Sequence, residues 1–182
     1  MKVLYACAIA MMAVALPAAA ALGPGTPAPD FTTQASLGGN EFTFSLKEAL
    51  GKGPVVIYFY PAAFTKGCTI EAHAFADAMD DFKALGATVI GVSEDNIETL
   101  NRFSVSACQS KFPVAADNGG IAKAYDAIME NRPDRASRTS YVITPDDKVI
   151  YSYTDMNPDK HVENTLGAIR QWRSVNPTKP AG

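Results

Sequence analysis

Two apolar runs rich in β-branched and aromatic residues constrain the fold of this chain most strongly. The first run is VVIYFY at 55–60 and the second is ATVIGVS at 87–93. Runs without polar alternation are typical of strands buried on both faces in the centre of a helix-covered sheet. Between them, apolar residues recur every three or four positions, which predicts one amphipathic helix of about four turns from about Thr69, ended by Gly86. The residues of this apolar stripe are Ala72, Phe75, Met79, Phe82 and Leu85.

Shorter patterns around this unit extend the predicted α/β fold. NEFTFS at 40–45 alternates after the Gly38–Gly39 turn and predicts an edge strand, after which Ser45 can cap a short helix. TSYVIT and KVIYSYT, at 139–144 and 148–154, predict a hairpin. The other predicted elements are a helix capped by Asn96, a strand at 112–117, a helix at 119–128 and a closing helix at 158–172, with Val162, Leu166, Ile169 and Trp172 facing the core. This order predicts a thioredoxin-like fold: a mixed central sheet, helices on both faces and an added N-terminal β-hairpin.

The first residues have the layout of a secretory signal peptide. Lys2 is followed by an apolar run and then by a stretch of alanines. A membrane anchor is the alternative, but Pro17 breaks the run before it reaches the roughly 20 residues that span a bilayer. We therefore expect residues 1–20, with Cys7, to be removed and the protein to be exported, into the periplasm if the cell has one.

The remaining chain, 21–182, is predicted to form a single domain. Lys2 is one of 16 basic residues, so its loss leaves 15 basic and 19 acidic residues and a formal net charge of −4. Without a basic stretch or a second long apolar run, we expect no nucleic-acid partner and no membrane partner after cleavage. Two cysteines stay, Cys68 and Cys108, and the general expectation for an exported pair is a structural disulfide.

Cys68 lies in the segment PAAFTKGCTIEAHAF, where the loop after the first buried strand turns into a helix. Ligands of α/β sheets bind beyond the carboxyl ends of the strands, and this loop is such a place. The free N–H groups and positive dipole of a helix start favour a thiolate, which is the nucleophilic form of cysteine. Thr65 can offer a hydroxyl one turn back, and Pro61, with no N–H and a fixed φ, can shape the pocket wall.

The spacing of Pro61, Thr65 and Cys68, P-x-x-x-T-x-x-C directly after an apolar strand, resembles the active-site signature of the peroxiredoxins. The wider run PAAFTKGCTIEA is most similar to the bacterioferritin-comigratory, or Q-type, subfamily. The resemblance extends from about Gly25 to Trp172 and includes SRTSYVI, which carries Arg138.

This resemblance implies a thiol-dependent peroxidase that reduces hydrogen peroxide and organic hydroperoxides without a metal or other cofactor. Cys68 would be the peroxidatic cysteine and become a sulfenic acid. Thr65 would hydrogen-bond the peroxide and the thiolate, Pro61 would shield the sulfenic acid, and Arg138 would keep the thiolate ionised and polarise the peroxide. The implied partners are peroxides and a thioredoxin-like or other extracytoplasmic thiol reductant, and the implied state is a monomer or weak homodimer.

Three positions decide how the chain departs from the usual Q-type pattern. Lys66 replaces a proline, and His73 stands where many Q-type members have a resolving cysteine. Some members place that cysteine on the next major helix, where this chain has Cys108. The resemblance therefore implies an intramolecular Cys68–Cys108 disulfide, which needs Cα atoms within about 7 Å and local unwinding. A buried small apolar residue is the alternative for Cys108, which is in helical phase with Ile97, Leu100 and Ser104.

Two other functions of thioredoxin-like proteins remain as alternatives. A thiol-disulfide exchange protein would need C-x-x-C, but the residues three before and three after Cys68 are Thr65 and Glu71. A copper-binding protein could use Cys68, His73 and His161, although residue 72, where a second loop cysteine would stand, is alanine.

Overall fold

The computed structural model describes residues 21–177, and the predicted signal peptide at 1–20 lies outside them. The strands are β1 (Thr32–Leu37), β2 (Asn40–Ser45), β3 (Val55–Phe59), β4 (Thr88–Ser93), β5 (Val114–Ala116), β6 (Ile128–Met129), β7 (Arg132–Ala136), β8 (Thr139–Thr144) and β9 (Lys148–Thr154). The helices are α1 (Leu46–Leu50), α2 (Lys66–Asp77), α3 (Met79–Ala84), α4 (Ile97–Ser106), α5 (Ile121–Ala124) and α6 (His161–Val175), with a 3-10 turn at Pro158–Lys160 before α6.

A seven-stranded mixed sheet in the order β2-β1-β5-β4-β3-β8-β9 forms the centre of the described chain. The first apolar run becomes β3, which is buried along its whole length between parallel β4 and antiparallel β8. Alternate β3 residues enter two apolar layers, one with Tyr58 and α2, α3, α4 and α6, the other with Ile57 and α1 and α5. The predicted α/β class, with a mixed sheet between two helical layers, is confirmed.

Both predicted hairpins form. β1 and β2 pair across Gly38 and Gly39, whose φ angles of 57° and 81° suit glycine. β8 and β9 pair across residues 145–147. The predicted caps also form, because Ser45 Oγ accepts from the N–H of Glu48 and Asn96 Oδ1 accepts from the N–H of Thr99.

The prediction of one four-turn helix was wrong. Two helices, α2 and α3, meet at Ala78, whose φ of −90° and ψ of 1° leave the helical region. Its N–H is shared between the carbonyls of Ala74 and Phe75. The apolar spacing of three or four residues continues through the break, so the sequence pattern did not reveal it. The helix also begins three residues earlier than expected, at Lys66, which places Cys68 inside its first turn.

The predicted helix at 119–128 was also wrong in extent. α5 is a single turn that ends before Asp126, a non-glycine residue with a φ of 51°. The following residues form the β6–β7 hairpin, which the sequence analysis missed. α6 follows the expected closing helix, but Val162 and Trp172 are only half-buried; its buried residues are His161, Thr165, Leu166 and Ile169. None of the helices in the described residues is long and apolar enough to cross a membrane.

Candidate active site

Cys68 is buried at the third residue of α2, at the carboxyl edge of the sheet. Its side chain is 1% exposed. The loop after β3 enters the helix through Thr65, whose extended backbone precedes the first turn. The carbonyl of Thr65 accepts from the N–H of Thr69 at 2.9 Å. The thiol therefore lies where the free N–H groups of the first helical turn favour a negative charge.

Arg138, directly before β8, brings a guanidinium group against this thiol. Its Nη2 donates to Cys68 Sγ at 3.5 Å, its Nε donates to the carbonyl of Met156 at 3.0 Å, and its Nη1 donates to Glu71 Oε2. Three fixed partners hold the planar fork in one orientation. A Cβ at Gly67 would lie 2.9 Å from Nη2, so glycine at this position lets the guanidinium approach the helix start. The structure therefore brings together two predicted site residues that are 70 positions apart in the sequence.

Glu71 lies one turn after Cys68 and is completely buried. Burial raises the pKa of this carboxyl to about 8, and the charge of Arg138 opposes the rise. Its Oε2 accepts from Arg138, whereas its Oε1 has no hydrogen-bond partner among the described residues. Oε1 lies 3.6 Å from His161 Nδ1.

His161, the first residue of α6, is also completely buried. Its Nδ1 lies 2.8 Å from Ser140 Oγ and its Nε2 lies 2.9 Å from the carbonyl oxygen of Asp155. Burial lowers the pKa of the imidazole below its usual value, while the carbonyl of Asp155 acts in the opposite direction. The ring of Tyr153 packs edge-on against it.

The loop between β3 and α2 is held from two neighbouring elements. Asp95, after β4, accepts through Oδ2 from the N–H of Ala63 at 2.7 Å and from Ser93 Oγ at 2.9 Å. Arg135 of β7 donates to the carbonyl of Pro61 at 3.3 Å, and its Nη1 lies 3.8 Å from Asp95 Oδ1. These contacts fix the backbone that leads to Cys68.

The structure places Pro61 and Thr65 in this loop but does not give them the predicted contacts. Pro61 is half-buried, and Thr65 is exposed. The Thr65 hydroxyl donates to the carbonyl of Ala62 at 2.9 Å and, within the described residues, makes no hydrogen bond to Cys68. Its contact with a peroxide, and the shielding role of Pro61, stay predictions.

Cys108 lies two residues beyond the end of α4 and is fully buried. It shares the apolar layer with Cys68, and both thiols are free. Burial raises the pKa of the Cys108 thiol, so this group is a poor nucleophile while it stays enclosed. The next two residues, Gln109 and Ser110, have φ angles of 52° and 57°, a left-handed backbone that is strained for non-glycine residues.

The residues proposed for copper do not come together. His73 is exposed on α2, whereas His161 is buried beside Glu71. Within residues 21–177, no group of three or more His, Cys, Asp or Glu side chains could hold a metal ion. The copper alternative therefore gains no support from the geometry.

From the sequence, His161 was named only as a possible copper ligand, and Glu71 was given no role in the site. The structure adds the Arg138–Glu71 contact, which orients the guanidinium group. His161 left no signal of its place in the site, because its position depends on how α6 packs against α2 and β8. Asp95 stands two residues after the predicted strand at 87–93, at the same edge of the sheet as Cys68, which could have indicated its role.

Comparisons with known proteins agree on one family. The AhpC/TSA family profile matches residues 24–152. The chloroplastic peroxiredoxin Q of rice (Oryza sativa subsp. japonica) is 35% identical over 148 residues, which cover 80% of this chain and 66% of the relative. A putative peroxiredoxin of Mycobacterium tuberculosis is 32% identical over 133 residues, which cover 71% of this chain and 86% of the relative.

The fold has the same relatives. The crystal structure of peroxidoxin BcpB from Mycobacterium tuberculosis superposes with a TM-score of 0.74 at 28% identity, covering 82% of this chain and 97% of that one. The chain thus spans about two thirds of the length of the chloroplastic relative and most of the length of the mycobacterial proteins.

Proposed function

Because this chain is a Q-type peroxiredoxin of the AhpC/TSA family, a class of thiol-dependent peroxidases, we propose that it reduces peroxides through Cys68. The observation that carries the proposal is the contact of Arg138 Nη2 with Cys68 Sγ in a buried helix start. A fixed cation and a helix N-terminus both favour the thiolate, and the thiolate is the form that attacks an O–O bond.

The proposed reaction needs only the peroxide and the two thiols. Cys68 Sγ attacks the terminal oxygen of ROOH, an S–O bond forms, the O–O bond breaks, and ROH leaves after taking a proton. The peroxide is reduced by two electrons and Cys68 is oxidised to a sulfenic acid. Arg138 is placed to polarise the peroxide oxygens. In this proposal Thr65 turns its hydroxyl to the bound peroxide, and Pro61 limits access of water to the sulfenic acid.

We propose that Cys108 resolves the sulfenic acid. Its sulfur attacks Cys68 Sγ, an S–S bond forms, the S–O bond of the sulfenic acid breaks, and the hydroxyl leaves as water with the proton of the Cys108 thiol. Two observations support this step: both thiols are in one apolar layer, and the strained turn after Cys108 lowers the cost of releasing it. Both segments must open, because both thiols are enclosed.

The disulfide then requires a dithiol reductant. We propose a thioredoxin-like protein in this role, and an extracytoplasmic one if residues 1–20 direct export. Export would appear as a mature N-terminus near Ala21 in the secreted or periplasmic fraction of cells that express the full chain. A monomer or weak homodimer stays a prediction for sedimentation measurements.

Peroxide consumption tests the proposal. Reduced protein with dithiothreitol should consume hydrogen peroxide and cumene hydroperoxide, and Cys68→Ser should abolish the activity. His73→Gln serves as the matched control, because this exposed residue on the same helix should leave the rate unchanged. Activity that survives Cys68→Ser would overturn the assignment.

A further inference from the structure

Beneath Arg138, a second buried contact joins two side chains that the proposed reaction does not use, Glu71 and His161. The protonation of His161 follows from its partners. Its Nε2 lies 2.9 Å from the carbonyl oxygen of Asp155, which can only accept, so Nε2 carries a proton. In a neutral imidazole, Nδ1 then carries no hydrogen, and its lone pair accepts from Ser140 Oγ at 2.8 Å.

Glu71 Oε1 lies 3.6 Å from this nitrogen and has no hydrogen-bond partner among the described residues. An ionised carboxylate would therefore leave a negatively charged oxygen without a donor, facing a nitrogen that offers it no proton, in a completely buried site. A buried unpaired acceptor is costly. A single proton between Oε1 and Nδ1 removes this conflict, whichever of the two atoms carries it.

The charges around the site explain why this proton is needed. Arg138 contacts both Cys68 and Glu71, so one cation faces two acids. If both acids were ionised, the enclosed group would carry a net negative charge. The other titratable groups that face Glu71 and His161 are Tyr58, Tyr153 and Asp155, while Lys160, next to His161 on the same helix, is paired with the exposed Glu163.

We propose that Glu71 and His161 hold one proton between Oε1 and Nδ1 whenever Cys68 is a thiolate, which makes His161 a positioning residue for the peroxidatic thiol. When the S–H bond of Cys68 breaks, its proton goes to the solvent and the proton on Glu71 or His161 stays. The net charge of the enclosed group then falls from one positive charge to zero and does not become negative. The charge of Arg138 is left to stabilise the thiolate. This proposal rests on the proposed role of Cys68.

Two substitutions separate this role from a structural one. His161→Asn keeps a polar group where Nδ1 faces Glu71, and His161→Gln keeps one where Nε2 meets the carbonyl of Asp155. The readout is the pH dependence of alkylation of Cys68 by iodoacetamide in the reduced full chain, followed on the peptide that contains Cys68.

We expect His161→Gln to raise the midpoint pH of alkylation by about one unit, so that the rate below the midpoint falls about tenfold. We expect His161→Asn to stay close to the wild-type profile, as should the control His73→Gln. In a Glu71→Gln background, the shift caused by His161→Gln should disappear, because the group that shares the proton is gone.

Three results would overturn the proposal. The first is a wild-type alkylation profile for His161→Gln together with a shifted profile for His161→Asn. The second is a shift of the midpoint that persists undiminished in the Glu71→Gln background. The third is the absence of a shift in every His161 variant. Should the variants fail to fold, the ring ¹⁵N signals of the protein's two histidines decide the question. The His161 signal should change in the pH range where Cys68 ionises, and this change should vanish in Cys68→Ser; an unchanged signal would refute the shared proton. Alkylation and NMR need no peroxide, so a failure of the peroxidase proposal appears separately, in the consumption assay.

Discussion

At the scale of single residues, the site depends on how one guanidinium group is shared. Arg138 is 3% exposed and uses Nε, Nη1 and Nη2 on three different partners. A lysine could not reproduce this, because its ammonium group is a point charge without a planar fork. The arrangement also requires a carboxyl group, Glu71, to be fully buried, and burial makes ionisation of that carboxyl unfavourable.

This burial predicts how stability depends on pH. Burial raises the pKa of Glu71 from 4.5 to about 8 in the folded protein, so the folded state binds the proton more tightly than the unfolded state does. The contribution to stability is complete below about pH 4.5 and is lost as the pH rises toward 8.

Urea unfolding of the reduced protein at several pH values between 5 and 8 measures this contribution. The free energy of unfolding of the wild type should fall by roughly 2–4 kcal/mol relative to Glu71→Gln across this range. If the free energies of unfolding of the two proteins changed in parallel with pH, the pKa of Glu71 would not be raised in the folded protein.

At the scale of elements, two neighbouring segments hold the loop before α2. Asp95 after β4 binds the N–H of Ala63, and Arg135 of β7 binds the carbonyl of Pro61. The loop itself contains Phe64, a non-glycine residue with a φ of 64°. A strained loop keeps its shape only while neighbouring elements hold it, so Asp95 should matter for catalysis without touching the substrate.

Asp95→Ala tests this dependence. The variant should lose about 1–2 kcal/mol of stability, since the N–H of Ala63 loses its acceptor, and the rate of peroxide reduction should fall roughly tenfold. Asp134→Ala is the matched control: Asp134 also lies near Arg135, at 3.6 Å, but its side chain is 63% exposed. Equal effects of the two substitutions would mean that net charge, and not the loop contact, controls the rate.

Formation of the Cys68–Cys108 disulfide requires the end of α4 to move, as well as the segment that contains Cys68. The carbonyl of Phe103 accepts from the N–H groups of Ala107 and Cys108, and the N–H of Ser110 donates to the carbonyl of Ser104. These bonds enclose Cys108 in a compact, strained turn. Formation of the disulfide should break several of them.

Amide hydrogen exchange should detect this opening. We expect protection in segments 61–72 and 103–112 to fall at least tenfold on oxidation, while the amides of β3 and β4 keep their protection and serve as the internal control. Unchanged protection in both segments would exclude local unwinding as the route to the disulfide.

At the scale of the whole molecule, the sequence predicted the elements whose burial produces a clear pattern. β3, β4 and both hairpins followed from apolar runs, alternation and turn residues. The break at Ala78 did not, because apolar spacing continues through it. The β6–β7 hairpin did not either, since most of RPDRA is exposed and lacks an apolar face.

The same limit applied to the site. Cys68, Thr65 and Pro61 were visible in one short motif, and Arg138 was visible through the family resemblance. His161 was not, because its partners Glu71 and Ser140 come from α2 and β8, and only tertiary packing brings α6 to them. Local motifs thus predicted the reacting group, but not the buried residues behind it.

The whole fold places two enclosed thiols, Cys68 and Cys108, in one apolar layer. The central claim is that oxidation by a peroxide links them in a disulfide. The direct test is to reduce the protein, add one equivalent of hydrogen peroxide, quench the reaction and record the intact mass. The account predicts the loss of two hydrogens, abolished by either Cys68→Ser or Cys108→Ser. A gain of one oxygen would show that Cys68 reacts and Cys108 does not resolve it, and no rapid change in mass would contradict the peroxidase function itself.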